Sequence, residues 1–287
     1  MLKPRLYQRT YQRGEMTLKL GDRTLIMGIV NVTPDSFSDG GQYDSVERAV
    51  NHAIELFEQG ADIIDIGGES TRPGHTVISS AEEIERVVPV IEALYKRAPH
   101  IPISIDTYKA DVARAAIDAG AHIINDIWGL KADKHMASLA QEKGCPVILM
   151  HNRENTNYND FIKDAVTDVK ESIDLALQAG IHKDNIILDP GIGFAKNHEH
   201  NLQMMISLGT LVELGYPVLL ATSRKRFIRN TLQLPVDDLV EGTAATVAFG
   251  IAQGAQMVRV HDVAQIKRTV DMCDAMLYQG REESNNG

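Results

Sequence analysis

Polar residues recur directly after short apolar segments of this chain. Asn31 follows Leu25–Val30, Asp65 and Gly67-Gly68-Glu69 sit in and after Ile63–Ile66, and Asp106 follows Ile103–Ile105. Asn125 and Asp126 follow Ile123–Ile124, His151 follows Val147–Met150, and Asp189 follows Ile186–Leu188. Ser223 and Lys225 come after Val218–Ala221, and Arg259 and His261 close Met257–Val260. Helix caps account for Asp, Asn and Ser at such places, and Asp126, Thr107 and Asp262 fit that plainer role. Caps do not call for Arg, Lys and His at the ends of apolar strands.

Residues i and i+2 of an extended strand share a face, which pairs Arg259 with His261 and Ser104 with Asp106. An Arg beside a His, opposed by the Asn31 amide, makes an anion pocket, because a guanidinium fork matches phosphate oxygens. The plainer alternative is that Arg259 pairs with a structural carboxylate. Asp106, Asn125 and Asp189 form a second set, and buried carboxylates must meet donors. A 2-amino-4-oxo pyrimidine ring, as in a pterin, offers amino and ring N–H donors beside a carbonyl that Lys225 could cap. Many polar heterocycles would serve equally on this ground alone.

Two loops, Thr33–Gly41 and Gly67–Gly74, mix Gly, Pro and small polar residues with a single Phe37 or Arg72. Such composition suits mobile lids, or ordinary Gly-rich turns. Walker and Rossmann glycine patterns, HExxH and GxSxG are absent. Cys145 has no His partner by spacing, so nucleophilic catalysis has no support.

The elements that must position these groups follow from periodicity. The eight apolar, β-branched-rich segments above read as parallel strands covered on both faces. Amphipathic helical patterns lie between them at 46–59, 82–97 (where Pro89 could kink the helix), 112–119, 161–179, 198–214, 237–253 and 262–279. Several stop at a glycine, such as Gly60, Gly120, Gly180 and Gly254. This alternation is that of a single-domain (β/α)8 TIM barrel, an α/β fold whose active site lies at the carboxyl ends of the strands. An open doubly wound sheet is the alternative. Residues 1–23 stand outside the repeat; Thr17–Leu20, Gly21-Asp22 and Arg23–Ile26 suggest an N-terminal β-hairpin closing the barrel floor. The barrel would occupy 24–280 and a frayed polar tail 281–287.

Composition narrows the function classes. Net charge is −10, from 29 Lys and Arg against 39 Asp and Glu, so nucleic acid is an unsuitable partner. Aromatic residues are 5%, too few for a single-strand stacking platform. No apolar run approaches the ~20 residues of a membrane helix, and no secretory signal is visible at Met1–Arg13. Cys145 and Cys273 lack CxxC spacing and fit a reduced cytoplasm.

The motifs Met27–Gly41, Asp65–Gly74, Ser104–Thr107, Asn125-Asp126, Met150-His151, Asp189–Phe194, Ser223–Lys225 and Arg259–Asp262, in this order, resemble the dihydropteroate synthase family. The resemblance implies that 6-hydroxymethyl-7,8-dihydropterin diphosphate and p-aminobenzoate are joined, releasing diphosphate, by a dissociative C–N bond formation. It implies a pterin site of Asp106, Asn125, Ile127, Met150, Asp189, Phe194 and Lys225. Asn31, Arg72, Arg259 and His261 would hold the diphosphate, with Asn31 also a ligand of Mg2+. Phe37, Thr71, Arg72, Pro73, Ser223 and Arg226 would form the p-aminobenzoate site, and Asn31, Asp106, Lys225, Arg259 and His261 would carry the catalytic roles. A homodimer built through the last helices is implied as well. Three residues depart from the common pattern: Ala195 and Ala221 stand where Gly is usual, and Arg226 stands where a Ser commonly contacts the benzoate carboxylate. A backbone N–H at that helix start could replace the hydroxyl. A pterin-binding barrel methyltransferase using methyltetrahydrofolate and a corrinoid, and a non-catalytic pterin-binding barrel, are the competing readings.

The loop composition sets an order of binding. Ordering Phe37 and Thr71–Pro73 costs ~1–2 kcal/mol per residue, more than a small benzoate supplies alone. Titration of p-aminobenzoate should therefore show much tighter binding with pyrophosphate, Mg2+ and a pterin ligand present than without them. Equal affinities would mean a preformed site.

Overall fold

The computed structural model describes residues 4–33, 42–70 and 77–278, with backbone alone at 42–44. The eight apolar segments form one parallel sheet: β3 (Leu25–Asn31), β4 (Ile63–Gly67), β5 (Ile103–Asp106), β6 (Ile123–Asp126), β7 (Val147–Met150), β8 (Ile186–Asp189), β9 (Leu219–Leu220) and β10 (Met257–Val260). Their order is β8-β7-β6-β5-β4-β3-β10-β9. A parallel bridge between Leu188 and Val218 joins the two ends, and the Leu188 N–H donates to the Pro217 carbonyl at 2.9 Å. The sheet is thus closed into the (β/α)8 barrel.

The period-two pattern divides each strand. Residues such as Ile26, Val30, Ile64, Ile66, Ile105, Ile124, Leu149 and Leu188 face outward and pack with the helices in one large buried cluster. The alternate set, Leu25, Met27, Ile63, Ile123, Ile148, Ile187, Leu219 and Met257, fills the barrel interior. Continuing that inward parity toward the carboxyl ends brings Asp65, Ser104, Asp106, Asn125, Asp189 and Arg259 onto the same inner face. The interior is therefore apolar at the floor and polar at the mouth.

The hairpin plugs the floor, but its turn lies earlier than the sequence suggests. β1 (Arg9–Arg13) pairs antiparallel with β2 (Met16–Leu20) around Gly14, whose φ is +57°. The segment after Gly21 is instead drawn into β3 by parallel pairing with β4 and β10. Tyr11, Met16, Leu18 and Leu20 join the inner cluster, while Thr17 and Lys19 face solvent. The Tyr11 hydroxyl donates to the Asp184 carbonyl at 2.8 Å, and Tyr7 exchanges two hydrogen bonds with the Gln256 side chain at 2.8 and 3.0 Å.

The outer layer comprises α1 (Gln42–Glu58), α2 (Ser80–Arg97), α3 (Ala110–Asp118), α4 (Met136–Lys143), α5 (Phe161–Gln178), α6 (His198–Ile206), α7 (Gly209–Val212), α8 (Arg226–Leu232), α9 (Val240–Gln253) and α10 (Val263–Leu277). Pro89 lies inside α2, whose assignment runs unbroken through it. The pattern at 198–214 becomes two helices, α6 and α7, separated at Ser207–Leu208. α8 and the eight-residue α4 were not separated from loops by periodicity; α4 buries only Met136, Leu139 and Ala140. Asp126 and Thr107 bond locally but cap no helix: Asp126 accepts from the Trp128 and Leu130 N–H groups of a turn, both at 2.8 Å, and Thr107 Oγ1 accepts from the N–H of Lys109, the N-cap of α3, at 3.2 Å. Asp262 makes no side-chain cap on α10.

The floor contact gives a stability prediction. Met16 is 1% exposed, so Met16→Ala should cost about 2–5 kcal/mol, as buried Met truncations do. Thr17→Ala on the solvent face should stay within about 0.5 kcal/mol. Urea unfolding of both variants checks the plug; equal midpoints would mean the hairpin is not integral to the core.

Candidate active site

The mouth of the barrel is organised around one guanidinium. Arg259 rises from β10 and donates from Nε to Asp65 Oδ2 and from Nη2 to Asp106 Oδ2, both at 2.6 Å. Asn125 Nδ2 donates to the same Asp65 oxygen at 3.2 Å. Asp65 is fully buried, and its other oxygen, the second oxygen of Asp106 and Ser104 Oγ have no hydrogen-bond partner among the described residues. Arg259 therefore pairs with carboxylates, as the plainer sequence alternative had it, while standing at the strand end where an anion would be met. Its truncation would strand two buried charges, so a replacement must affect stability as well as ligand binding.

Electrostatics follow from this crowding. Desolvation pushes the Asp106 carboxyl up to about 7, Arg259 opposing and Asp65 adding to the shift. Desolvation also raises Asp189, against the pull of Lys225, the Gly191 N–H and Arg259. It lowers the Lys225 ammonium to about 8, with Asp189 acting the other way. Arg259 itself is desolvated, but Asp65 and Asp106 hold it more firmly protonated than usual.

The remaining pterin-set residues surround these groups. Asp189 Oδ1 accepts the Gly191 N–H at 2.7 Å. Lys225 Nζ donates to the Ile192 carbonyl and lies 5.0 Å from the centre of the Phe194 ring. Ile127 and Met150 are buried on the inward faces after β6 and in β7, while Phe194 is partly exposed. Ala195 has φ +46°, a left-handed conformation that Gly enters without the ~1–2 kcal/mol cost to an L-residue.

On the anion side, Ser223 Oγ accepts the His261 backbone N–H at 3.1 Å and lies 3.0 Å from His261 Nδ1. Ser223, assigned by resemblance to p-aminobenzoate, thus contacts the anion-site His261. Asn31 ends β3, half-buried, in register with Gly67. Among the described residues no group of three or more His, Cys, Asp or Glu could hold a metal ion. Arg226 is an exposed first residue of α8. Phe37, Thr71, Arg72 and Pro73 lie outside the described residues.

Several participants carried no clear sequence signal. Arg224, at φ +56°, forks onto Asp262 at 3.0 and 2.5 Å and ties the loops after β9 and β10 together. Lys109 holds both flanks of the second loop, reaching Glu69 at 2.5 Å, the Ile78 carbonyl at 2.8 Å and Glu83 at 2.6 Å. Asp65 did carry a signal, as a charged residue inside an apolar strand.

Comparison with known proteins places this geometry. The sequence profile of pterin binding enzymes matches residues 27–261. The dihydropteroate synthase of Bacillus subtilis is 57% identical over 263 residues, 92% of each chain. Among solved structures, a dihydropteroate synthase of Clostridium difficile determined in the presence of pteroic acid superposes with a TM-score of 0.87 at 49% identity. That match covers 90% of this chain and 98% of the other. The Xanthomonas albilineans enzyme with 4-aminobenzoic acid gives 0.86 at 43%, covering 91% and 95%.

The pKa pattern predicts a bell-shaped profile for kcat/KM, which reports free-enzyme groups. With Asp106 as the acceptor of pterin N–H groups that the resemblance implies, its ionised form is the active one and activity should rise through about pH 7. With Lys225 as the cation facing the pterin carbonyl, activity should fall above about pH 8. Lys225→Gln should lower activity and remove the alkaline limb; an unchanged limb would assign it elsewhere.

Proposed function

The chain belongs to the dihydropteroate synthases among the pterin-binding enzymes, and from that premise we propose how its residues divide the reaction. The enzyme is a transferase of folate biosynthesis: it condenses 6-hydroxymethyl-7,8-dihydropterin diphosphate with p-aminobenzoate to 7,8-dihydropteroate and diphosphate. The methyltransferase and non-catalytic alternatives are not favoured by relatives that are synthases along nearly their whole length. The observation that carries the assignment of roles is the polar inner face. Asp106, Asn125 and Asp189 present acceptors and an amide, and Lys225 a cation, above an apolar floor.

The pterin lies against Asp106, Asn125, Asp189 and Lys225, with Ile127, Met150 and Phe194 as apolar walls. Its N–H donors meet the two carboxylates, and Lys225 meets its carbonyl. The methylene–oxygen bond breaks first, the electron pair leaving with diphosphate. The electron-rich ring carries the positive charge, and the carboxylates at its N–H groups stabilise that charge. The neutral amine of p-aminobenzoate then forms the C–N bond, and the resulting ammonium gives its proton to the released diphosphate. Arg259 and His261 meet the leaving oxygens, and Ser223 fixes the His261 ring. The Asn31 amide oxygen would be the protein ligand of a Mg2+ ion bound with the diphosphate, since Mg2+ commonly takes few protein ligands beside substrate phosphates, and the ion would supply charge neutralisation on the departing group. Phe37, Thr71, Arg72 and Pro73, with Ser223 and Arg226, are assigned to p-aminobenzoate, and Arg72 also to the diphosphate. Closure of the two loops would exclude water from the cationic stage.

A cytoplasmic homodimer completes the reading. Cys145 and Cys273 are free thiols and buried, as suits a reducing compartment. No helix among the described residues is long and apolar enough to cross a membrane. Phe249 on α9 and Met272 and Met276 on α10 are exposed at 49%, 60% and 63%, which supports pairing through the last helices.

Release of diphosphate on mixing the purified protein with both substrates and Mg2+ tests the reaction. Asp189→Asn tests the pterin role: it turns an acceptor toward a donor, a buried mismatch costing about 1–3 kcal/mol. Calorimetry with 6-hydroxymethylpterin should show that loss, and unchanged affinity would refute the role.

A further inference from the structure

Behind the pterin wall lies a buried chain of charged groups that the reaction does not use. Lys196 is 6% exposed although it is a lysine. Its ammonium donates to the Gly191 carbonyl at 2.9 Å and the Phe194 carbonyl at 3.0 Å, and lies 2.7 Å from His151 Nδ1. His151 Nε2 lies 3.0 Å from Asp168 Oδ2. Arg153 closes the chain, donating to the two Asp168 oxygens at 2.5 and 3.0 Å. Every contact is satisfied when charged Lys196 spends its three donors on the two carbonyls and Nδ1 and neutral His151 donates from Nε2 to ionised Asp168; burial pulls the Lys196 ammonium well below the usual lysine range, with Asp189 and Asp168 acting the other way. Burial, with Lys196 adjacent, holds His151 at about 4, and so neutral. Asp168 stays ionised near 2 because hydrogen bonds from His151 and Arg153 outweigh its desolvation.

The loop that Lys196 gathers carries the pterin-facing groups. Gly191 gives its N–H to Asp189, the Ile192 carbonyl accepts Lys225, and Phe194 stands beside Lys225. Gly191, at φ +65°, passes so close to β7 that an added Cβ would lie 1.9 Å from the His151 carbonyl oxygen. No other residue fits that approach. We propose that Lys196 is a positioning residue for pterin recognition. Its ammonium folds residues 190–195 against His151, at the end of β7, and so fixes Asp189, the Ile192 carbonyl and the Phe194 ring in their relative places. It acts through backbone carbonyls and does not touch the substrate. The inference rests on the pterin assignment above.

The test uses the full chain and two probes, 6-hydroxymethylpterin alone and pyrophosphate with Mg2+. Lys196→Met keeps the length of the side chain and removes its three donors. It should weaken the pterin probe at least tenfold in calorimetry and raise KM for the pterin substrate alike, while pyrophosphate affinity stays within twofold and kcat at saturation within threefold. Asp168→Asn, at the far end of the chain, should weaken the pterin probe about threefold, because its effect arrives only through the orientation of His151. A folded Lys196→Met protein that keeps its pterin affinity, or loses affinity for both probes equally, overturns the proposal. Should Lys196→Met fail to fold, Asp168→Asn decides alone, and an unchanged pterin affinity overturns it. Asp189→Asn run alongside separates the two failures. If it too leaves pterin affinity intact, the pterin assignment itself falls and this proposal with it.

Discussion

A guanidinium held between two carboxylates inside a closed barrel is the constraint on which the mouth of this protein depends. Removing three charges from water costs several kcal/mol per ion, and only their mutual contacts offset it. Arg259 can satisfy Asp65 and Asp106 together because β4 and β5 are neighbours and β10 lies one strand beyond β3. The triad leaves acceptor oxygens on Asp65 and Asp106 without a protein partner among the described residues. A site so arranged is under-satisfied by its own chain and prepared for donors from outside.

The rest of the architecture serves that arrangement. The outer helices take every second strand residue out of the interior, and the hairpin closes the floor with Tyr11, Met16, Leu18 and Leu20. Water is thereby kept from one end of the barrel only. The low dielectric below and the open mouth above explain why Asp106 and Lys225 are drawn toward each other in acidity, to about 7 and about 8. The two groups are left with a narrow interval in which both charged forms exist.

The sequence made the barrel legible because eight apolar segments obey a local rule, alternation of strand and helix, and because inward parity can be counted residue by residue. Asp106, Asn125, Asp189 and Arg259, which the sequence places at strand ends, share the inner face at the barrel mouth. The hairpin turn was displaced by seven residues, from Gly21 to Gly14, because Arg23–Ile26 alternates like a hairpin arm yet is claimed by the stronger parallel pairing of β3. The short α4 escaped notice because few of its residues are buried and its amphipathic signal is weak. Asp65 was visible as a polar residue but gained a role only when Arg259, 194 residues away, was brought against it. Lys196 was less legible still: its partner His151 is 45 residues distant, and nothing local distinguishes it from a solvated lysine.

The closure of the barrel has a mechanical corollary. β9 is two residues long, and its side toward β8 is joined by one bridge, Leu188 with Val218, and the bond to Pro217. This is the thinnest seam in an otherwise continuous ring. Asp189 lies at the end of one bank and Lys225 beyond the other, so a ring-shaped ligand held by both, as proposed, would span the seam like a rivet and add its binding free energy to the closed state.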